Sequence, residues 1–144
     1  MAEAKMSVAE LEKFLREEFP QAFSDGDITI ESADGETCLL RRRFDERMLR
    51  PGGTVSGPTL MAMADFAMYV VLLSAIGPVG LAVTTNLNIN FMRKPEAGKL
   101  IGEGRLLKLG RSLAVGDFTI WSDGKSEPVA HVTMTYSIPP KSKP

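Results

Sequence analysis

The 144-residue sequence is poor in the side chains that most often announce chemistry. It has one cysteine, Cys38, and one histidine, His131. A single thiol excludes an intrachain disulfide and a thiolate metal cluster, and no metal-spaced His/Cys set occurs, so no metal is expected. A lone thiol suits a reducing compartment, and the cytoplasm is the expected location. Neither sign of charge dominates, the net charge being −1. There is therefore no basic field for nucleic acid and no cationic face for an anionic membrane. The first residues, MAEAKMSVAELEKFLREEF, are acidic and lack an apolar h-region, so no signal peptide is expected. The longest apolar run, Leu60 to Leu73, is shorter than a membrane span and is interrupted by Asp65. Walker and G-x-G-x-x-G loops are absent, as is any helix-turn-helix segment.

What is present is enough apolar material for one core. Hydrophobic residues make up 44% of the chain and charged residues 24%, which fits a single globular domain over 1–144. Ser7 to Phe19 reads as an amphipathic helix, with Ser7 and Glu10 forming a capping box and Pro20 ending it. Asp27–Ala33 and Glu36–Phe44 read as strands of a hairpin about Asp34-Gly35. Arg50 to Pro58 (RPGGTVSGP) is a loop leading into a helix whose N-cap is Ser56 or Gly57. From Thr59 to Ile76 that helix is apolar around nearly its whole circumference, so it must be covered on all sides, by a sheet wrapped around it and a partner subunit. Four strands follow: Ala82–Met92, Lys99–Leu109, Ser112–Ser122 and Glu127–Ile138, with short turns that pair neighbours antiparallel. Residues 139–144 (PPKSKP) read as a disordered tail. The expected fold class is α+β: an antiparallel sheet wrapped around one long central helix, preceded by an extra helix within residues 1–20.

Asp65 is the most informative residue. It is the only charged side chain between Arg50 and Arg93, and it lies within a helix expected to be buried. An isolated carboxylate there costs several kcal/mol unless it is hydrogen-bonded, neutralised or opened to a cleft. A satisfied structural Asp remains the ordinary alternative, but buried ionisable groups lean towards function. Gly57, at the helix N-terminus, presents an unbonded amide that a ligand carbonyl can approach, which is oxyanion-hole geometry; a plain cap before Pro58 fits the residues equally well. Gly57 and Asp65 stand eight positions apart, or about 12 Å along one helix. One substrate carbonyl cannot touch both within one chain, so a shared site requires a dimer with antiparallel helices. Thr84 and Asn86 share the polar face of the next strand by alternation and are candidates to bond Asp65, water or a ligand. A solvated strand face is the ordinary alternative for both. Arg93, Lys94, Lys108 and Arg111 lie at strand ends, where they are either solvated or hold phosphates of a large anionic substrate. His131 has no acidic neighbour in sequence and reads as a surface residue, and Ser56 lacks the context of a serine nucleophile.

The stretch GGTVSGPTLMAMADFAMY followed by AVTTNLNINFMRKP resembles the hotdog-fold acyl-CoA thioesterases of the phenylacetate-pathway type, and the resemblance runs from about Phe44 to Ile138. In that family the helix begins with His-Gly-Gly and a carboxylate follows nine residues after the histidine. Here the triplet is Ser56-Gly57-Pro58 and Asp65 holds the ninth position. The resemblance implies a hotdog fold, with Asp65 as base or nucleophile and Gly57 as the amide that polarises the thioester carbonyl. Thr84 matches a hydroxyl position that helps to place water. The candidate substrate-binding residues are Gly53, Ser56, Pro58 and Arg50 in the loop, with Thr84, Asn86, Arg93, Lys94 and Arg111. No cofactor is implied beyond the CoA carried by the substrate, and the implied assembly is a homo-oligomer, a dimer at least and usually a tetramer. Two positions depart from the pattern: the histidine is Ser56, and the asparagine six residues earlier is Arg50. The expected activity is hydrolysis of a small or medium acyl-CoA thioester. A non-catalytic acyl-CoA binder and an enoyl-CoA hydratase or dehydratase are the rival expectations.

Overall fold

A computed structural model describes residues 3–23 and 26–140. Residues 1–2 of the N-terminal segment and 141–144 of the expected tail lie outside the described residues. Helix α1 (Val8–Glu18) starts where the capping box places it: Ser7 Oγ accepts from Glu10 N–H, and the Glu10 carboxylate accepts from Ser7 N–H. Leu11 and Leu15, four residues apart, are fully buried. Burying two such side chains contributes about 1.5–3 kcal/mol each.

Strands β1 (Ile28–Ala33) and β2 (Thr37–Arg42) form the expected hairpin. Asp34 closes its turn by accepting the Glu36 and Thr37 amides, and Gly35 takes a positive φ of 92°. The RPGGTVSGP segment is more ordered than a plain loop. A 3-10 turn (Glu46–Met48) leads into two short strands, β3 (Leu49–Arg50) and β4 (Thr54–Val55), which pair as a miniature ribbon separate from the main sheet. That ribbon delivers the chain to α2 (Gly57–Ile76), capped by Ser56 and ended by Gly77 in a left-handed conformation.

Strands β5 (Val83–Phe91), β6 (Leu100–Leu109), β7 (Leu113–Ser122) and β8 (Ala130–Ser137) complete a six-stranded antiparallel sheet in the order β1-β2-β6-β7-β8-β5. This is the hotdog arrangement, with the sheet curled about α2 and α1 closing over part of the remaining helix surface. At 20 residues α2 is long and apolar enough to pass as a membrane span, more so than the interrupted run suggested, yet most of its side chains are buried within the fold. Sheet and helix approach closely at Gly116, where an added Cβ would stand 2.6 Å from Met68 Sδ; Gly102 of β6 instead makes room for the Phe118 ring of the neighbouring strand, whose Cζ would lie 2.0 Å from an added Cβ.

Within one protomer α2 is uncovered over its first two turns, the part left for the expected partner subunit. Pro58, Met61 and Ala62 are exposed and Asp65 is half-buried, while from Phe66 to Ala75 every side chain is buried. The uncovered residues form one stripe along the helix, spaced three and four apart.

Candidate active site

Asp65 lies where this open stripe meets the buried half of α2. Its Oδ1 accepts hydrogen bonds from two hydroxyls, Thr84 at the start of β5 and Tyr136 near the end of β8, the latter at 2.9 Å. Tyr136 also donates to the Asp65 backbone carbonyl at 2.9 Å. Among the described residues Oδ2 has no hydrogen-bond partner, which leaves it facing the open side. One carboxylate oxygen is therefore fixed by the fold and the other is available to a ligand. Burial raises the Tyr136 phenol well above its ordinary value; Thr84 opposes this and the Asp65 carboxylate adds to it, so Tyr136 remains a donor. Its ring stacks on Tyr69 at 6.3 Å, and Tyr69 donates to the Gly80 carbonyl at 3.2 Å.

Thr84 reaches Asp65 because of a β-bulge. The register between β5 and β8 shifts between Thr84 and Asn86, so Thr84 lies opposite Tyr136 and faces the helix. Strict alternation puts Thr84 and Asn86 on one face; the bulge separates them. Asn86 pairs with Thr135 and is exposed on the outer face of the sheet.

Gly57 is the first residue of α2, and its N–H has no acceptor among the described residues, as expected for a first-turn amide. Ser56 is committed to the cap, its Oγ accepting from Thr59 N–H and lying 2.8 Å from Thr59 Oγ1. The ring of Phe91, at the end of β5, covers Gly57 so closely that an added Cβ would lie 3.2 Å from Phe91 Cζ. Beside this amide is a cleft of about 670 Å³, lined by Arg50, Thr54, Gly57, Phe91, Arg93 and Lys94 among others. Among the described residues its lining has three cationic side chains and no acidic one. Arg93 is held by Glu127 at 2.8 Å and by the Pro128 carbonyl at 2.9 Å. Gly53 and Pro58 are exposed on the adjacent ribbon and helix start, with Gly53 N–H bonded to the Arg50 carbonyl.

The fold thus gathers Arg50, Gly57, Arg93 and Lys94 at one end of β5, and Asp65 and Thr84 at the other. Arg111 joins neither group: it lines a separate cleft of about 1020 Å³ with Ile76, Leu81 and Ile138. Two participants escaped sequence reasoning, Tyr136 and Phe91. The only sequence signal for Tyr136 was its place in the alternating pattern of the last strand, opposite the polar His131, Thr133 and Thr135.

His131 also departs from expectation. Its Nε2 lies 3.0 Å from Oδ2 of Asp117, and Arg105 grips the same carboxylate with two hydrogen bonds of 3.0 and 2.9 Å. Strand register brings the three together on the outer face of the sheet, away from Asp65. Sequence separation hid this partner. Cys38 is buried, and burial pushes its thiol up to about 12, too high for a thiolate nucleophile.

Comparison with known proteins agrees with the fold. A model of the thioesterase superfamily matches residues 52–129, the span from the loop before α2 to the start of β8. A solved candidate thioesterase from Silicibacter sp. TM1040 is 49% identical, with a TM-score of 0.87 over 96% of this chain and 95% of that one. A phenylacetic acid degradation-related candidate thioesterase from Ralstonia eutropha JMP134 is 29% identical, with a TM-score of 0.70 over 77% and 84%. A Streptococcus mutans UA159 protein solved with acetyl-CoA is 24% identical, with a TM-score of 0.73 over 84% and 94%, and shows the same fold. An esterase candidate from Saccharolobus solfataricus is 28% identical over 134 residues, covering 92% of this chain and 86% of that one.

Proposed function

Because the chain belongs to the thioesterase superfamily and is a hydrolase of that class, we propose that it cleaves small or medium acyl-CoA thioesters at a site shared by two subunits, with Asp65 as the group that drives water onto the carbonyl. The observation that carries the reading is the divided state of Asp65. Oδ1 is anchored by Thr84 and Tyr136, while Oδ2 has no partner among the described residues and borders the open stripe of α2.

In the proposed reaction Oδ2 takes a proton from a water whose oxygen attacks the thioester carbon. The carbonyl electrons move to oxygen, and the developing oxyanion is held by an amide N–H. Collapse of the tetrahedral intermediate breaks the carbon–sulfur bond, and the departing thiolate takes the proton back from Asp65. The products are a carboxylic acid and a free thiol. Direct attack by Asp65 balances equally: it expels the thiolate and leaves an acyl-aspartyl anhydride that water then hydrolyses, and label found in Asp65 after a single turnover in labelled water identifies this route, since general-base attack leaves both Asp65 oxygens in place. Neither route calls for a metal or redox cofactor, and CoA enters as part of the substrate. A reducing cytoplasm suits the free buried Cys38.

Support for a shared site comes from the edge strand. Within one protomer Asp65 is bonded to the first residues of β5, whereas Gly57 packs against the last. β5 is an outer strand of the sheet, its far edge unpaired among the described residues. Antiparallel pairing of β5 with its two-fold copy brings the Thr84 end of one chain to the Phe91 end of the other. Asp65 then faces Gly57 of the partner subunit. Arg50, Lys94 and Arg93, beside that amide, are placed to meet the anionic part of the thioester, with Gly53, Ser56 and Pro58 shaping the turn. Asn86 and Arg111 reach substrate only if a further subunit brings them to it, as in a tetramer.

The deciding assay is free-thiol release from a panel of acyl-CoA esters by wild type and Asp65→Asn. A drop of at least about 100-fold in kcat/KM, equivalent to about 2.7 kcal/mol of transition-state stabilisation, is expected with ester binding retained. Equal turnover by both proteins overturns the role of Asp65. Binding without turnover by wild type itself makes the protein an acyl-CoA binder.

A further inference from the structure

The arginines of this chain are mostly held by carboxylates. Arg41 reaches Glu31 at 2.7 Å, Arg47 reaches Asp45 at 2.6 Å and Arg105 reaches Asp117 at 2.9 Å. Arg50 has no carboxylate partner among the described residues, and neither has Lys94. Both line the cleft of about 670 Å³ beside the Gly57 amide, where the third cation, Arg93, is already paired with Glu127. Two unpaired cations on one cleft favour an anion between them. The β3–β4 ribbon fixes where Arg50 stands: its backbone pairs with Thr54, and its carbonyl accepts from Gly53 N–H across a turn in which Gly52 and Gly53 take positive φ of 101° and 78°.

The rest of the lining says what kind of anion fits. Val55 and Leu60, 3% and 1% exposed, line the cleft on its deep side, and the half-exposed Phe91 and Met92 border it. The cleft is therefore apolar below and cationic at its rim, the lining of a site for a short hydrocarbon with a charged end. Thr54 precedes Gly57 by three residues, about 10 Å of extended chain, so Arg50 on the neighbouring strand lies no farther than that from the amide. The two-fold reading puts the thioester carbonyl at this end of β5, and the cleft borders it directly. Carrier phosphates are also anions, but the whole pantetheine arm separates them from the carbonyl. A carboxylate at the far end of a short acyl group is the nearer match.

We propose that this cleft is the acyl subsite and selects acyl groups that end in a carboxylate, which Arg50 and Lys94 hold while the apolar lining covers the methylenes before it. The substrates are then half-thioesters of short dicarboxylic acids. This rests on the reading of Gly57 as the amide at the thioester carbonyl and names the substrate class for that site.

The test measures free-thiol release from two matched ester pairs, glutaryl against valeryl and adipyl against hexanoyl, each on CoA and on pantetheine, which carries no phosphate. Wild type should favour the carboxylated ester in kcat/KM by at least about tenfold on both carriers, the scale of one charge-assisted hydrogen bond. Arg50→Gln should abolish that ratio, Arg50→Lys should keep part of it, and Lys94→Gln should reduce it. A thermal melt confirms each variant, and Lys94→Gln carries the comparison should Arg50→Gln not fold. No preference by wild type, or a preference that both glutamine variants leave intact, overturns the proposal. A loss that is equal within each pair and confined to the CoA esters assigns the cleft to carrier phosphates and overturns it as well. The carboxybutyl and pentyl thioethers of CoA, which cannot be hydrolysed, give the same comparison by binding. If wild type cleaves no ester while thioether affinity still favours the carboxylate through Arg50, the hydrolytic reading fails and the subsite stands.

Discussion

At the scale of single residues, two carboxylates, Asp65 and Asp117, are handled in opposite ways. Asp65 is bonded by neutral hydroxyls through one oxygen and keeps the other open. Asp117 is only 7% exposed and is held by Arg105 and His131. The two hydrogen bonds of Arg105, with a smaller effect of His131, hold its carboxyl below the usual carboxylate range despite burial. Its folded form then binds fewer protons than the unfolded chain in acid, so the stability it contributes is present above the ordinary Asp value of about 3.9 and is lost as pH falls through the lower folded value. The difference in melting temperature between wild type and Asp117→Asn is therefore expected to be large near neutrality and to shrink steadily below about pH 4. A difference that stays constant down to pH 2 would show that the carboxylate charge is not what Arg105 and His131 stabilise. Turnover should change little, since this cluster lies on the outer face of the sheet.

At the scale of elements, the helix inside the sheet depends on close approach. Gly116 of β7 lets Met68 of α2 lie against the strand, and an added methyl would meet both Met68 Sδ at 2.6 Å and the Arg105 carbonyl at 2.7 Å. The methionine can move but the backbone of the neighbouring strand cannot. Gly116→Ala should cost about 1–3 kcal/mol, read as a lower urea midpoint at unchanged slope. A midpoint within error of wild type would mean that the sheet yields there. The bulge in β5 is the other element-scale device, since it turns Thr84 towards Asp65 while Asn86 stays outside. Period-two alternation cannot anticipate such an inserted residue, which is why those two positions looked equivalent in sequence.

At the scale of the whole molecule, the uncovered start of α2 and the unpaired edge of β5 belong together. Both lie next to the half-sites, and one two-fold contact would cover both. The shared site can be tested by complementation. Asp65→Asn and Gly57→Val homodimers should each be inactive, the valine being pressed against Phe91. Refolding them together in equal amounts should restore roughly a quarter of wild-type turnover, because half the dimers are mixed and each of those has one intact site of two. No recovery, with mixed dimers shown to form, would place both groups of a site in the same chain.

From the sequence alone came the helix cap at Ser7, a cap at Ser56 or Gly57 that the structure places on Ser56, the hairpin at Asp34-Gly35, the succession of main strands along the chain, and the singular status of Asp65. All of these are local: periodicities, cap chemistry and the cost of an isolated charge act within a few residues or along one element. Tertiary structure decided what depends on distant segments meeting. It supplied Tyr136, 71 residues from Asp65, and Asp117 as the partner of His131, and it set the cationic side chains of the β3–β4 ribbon and of the segment after β5 around one cleft. Such encounters are set by strand register and by how a helix seats in a curled sheet, and neither leaves a mark on the residues immediately around the ones that meet.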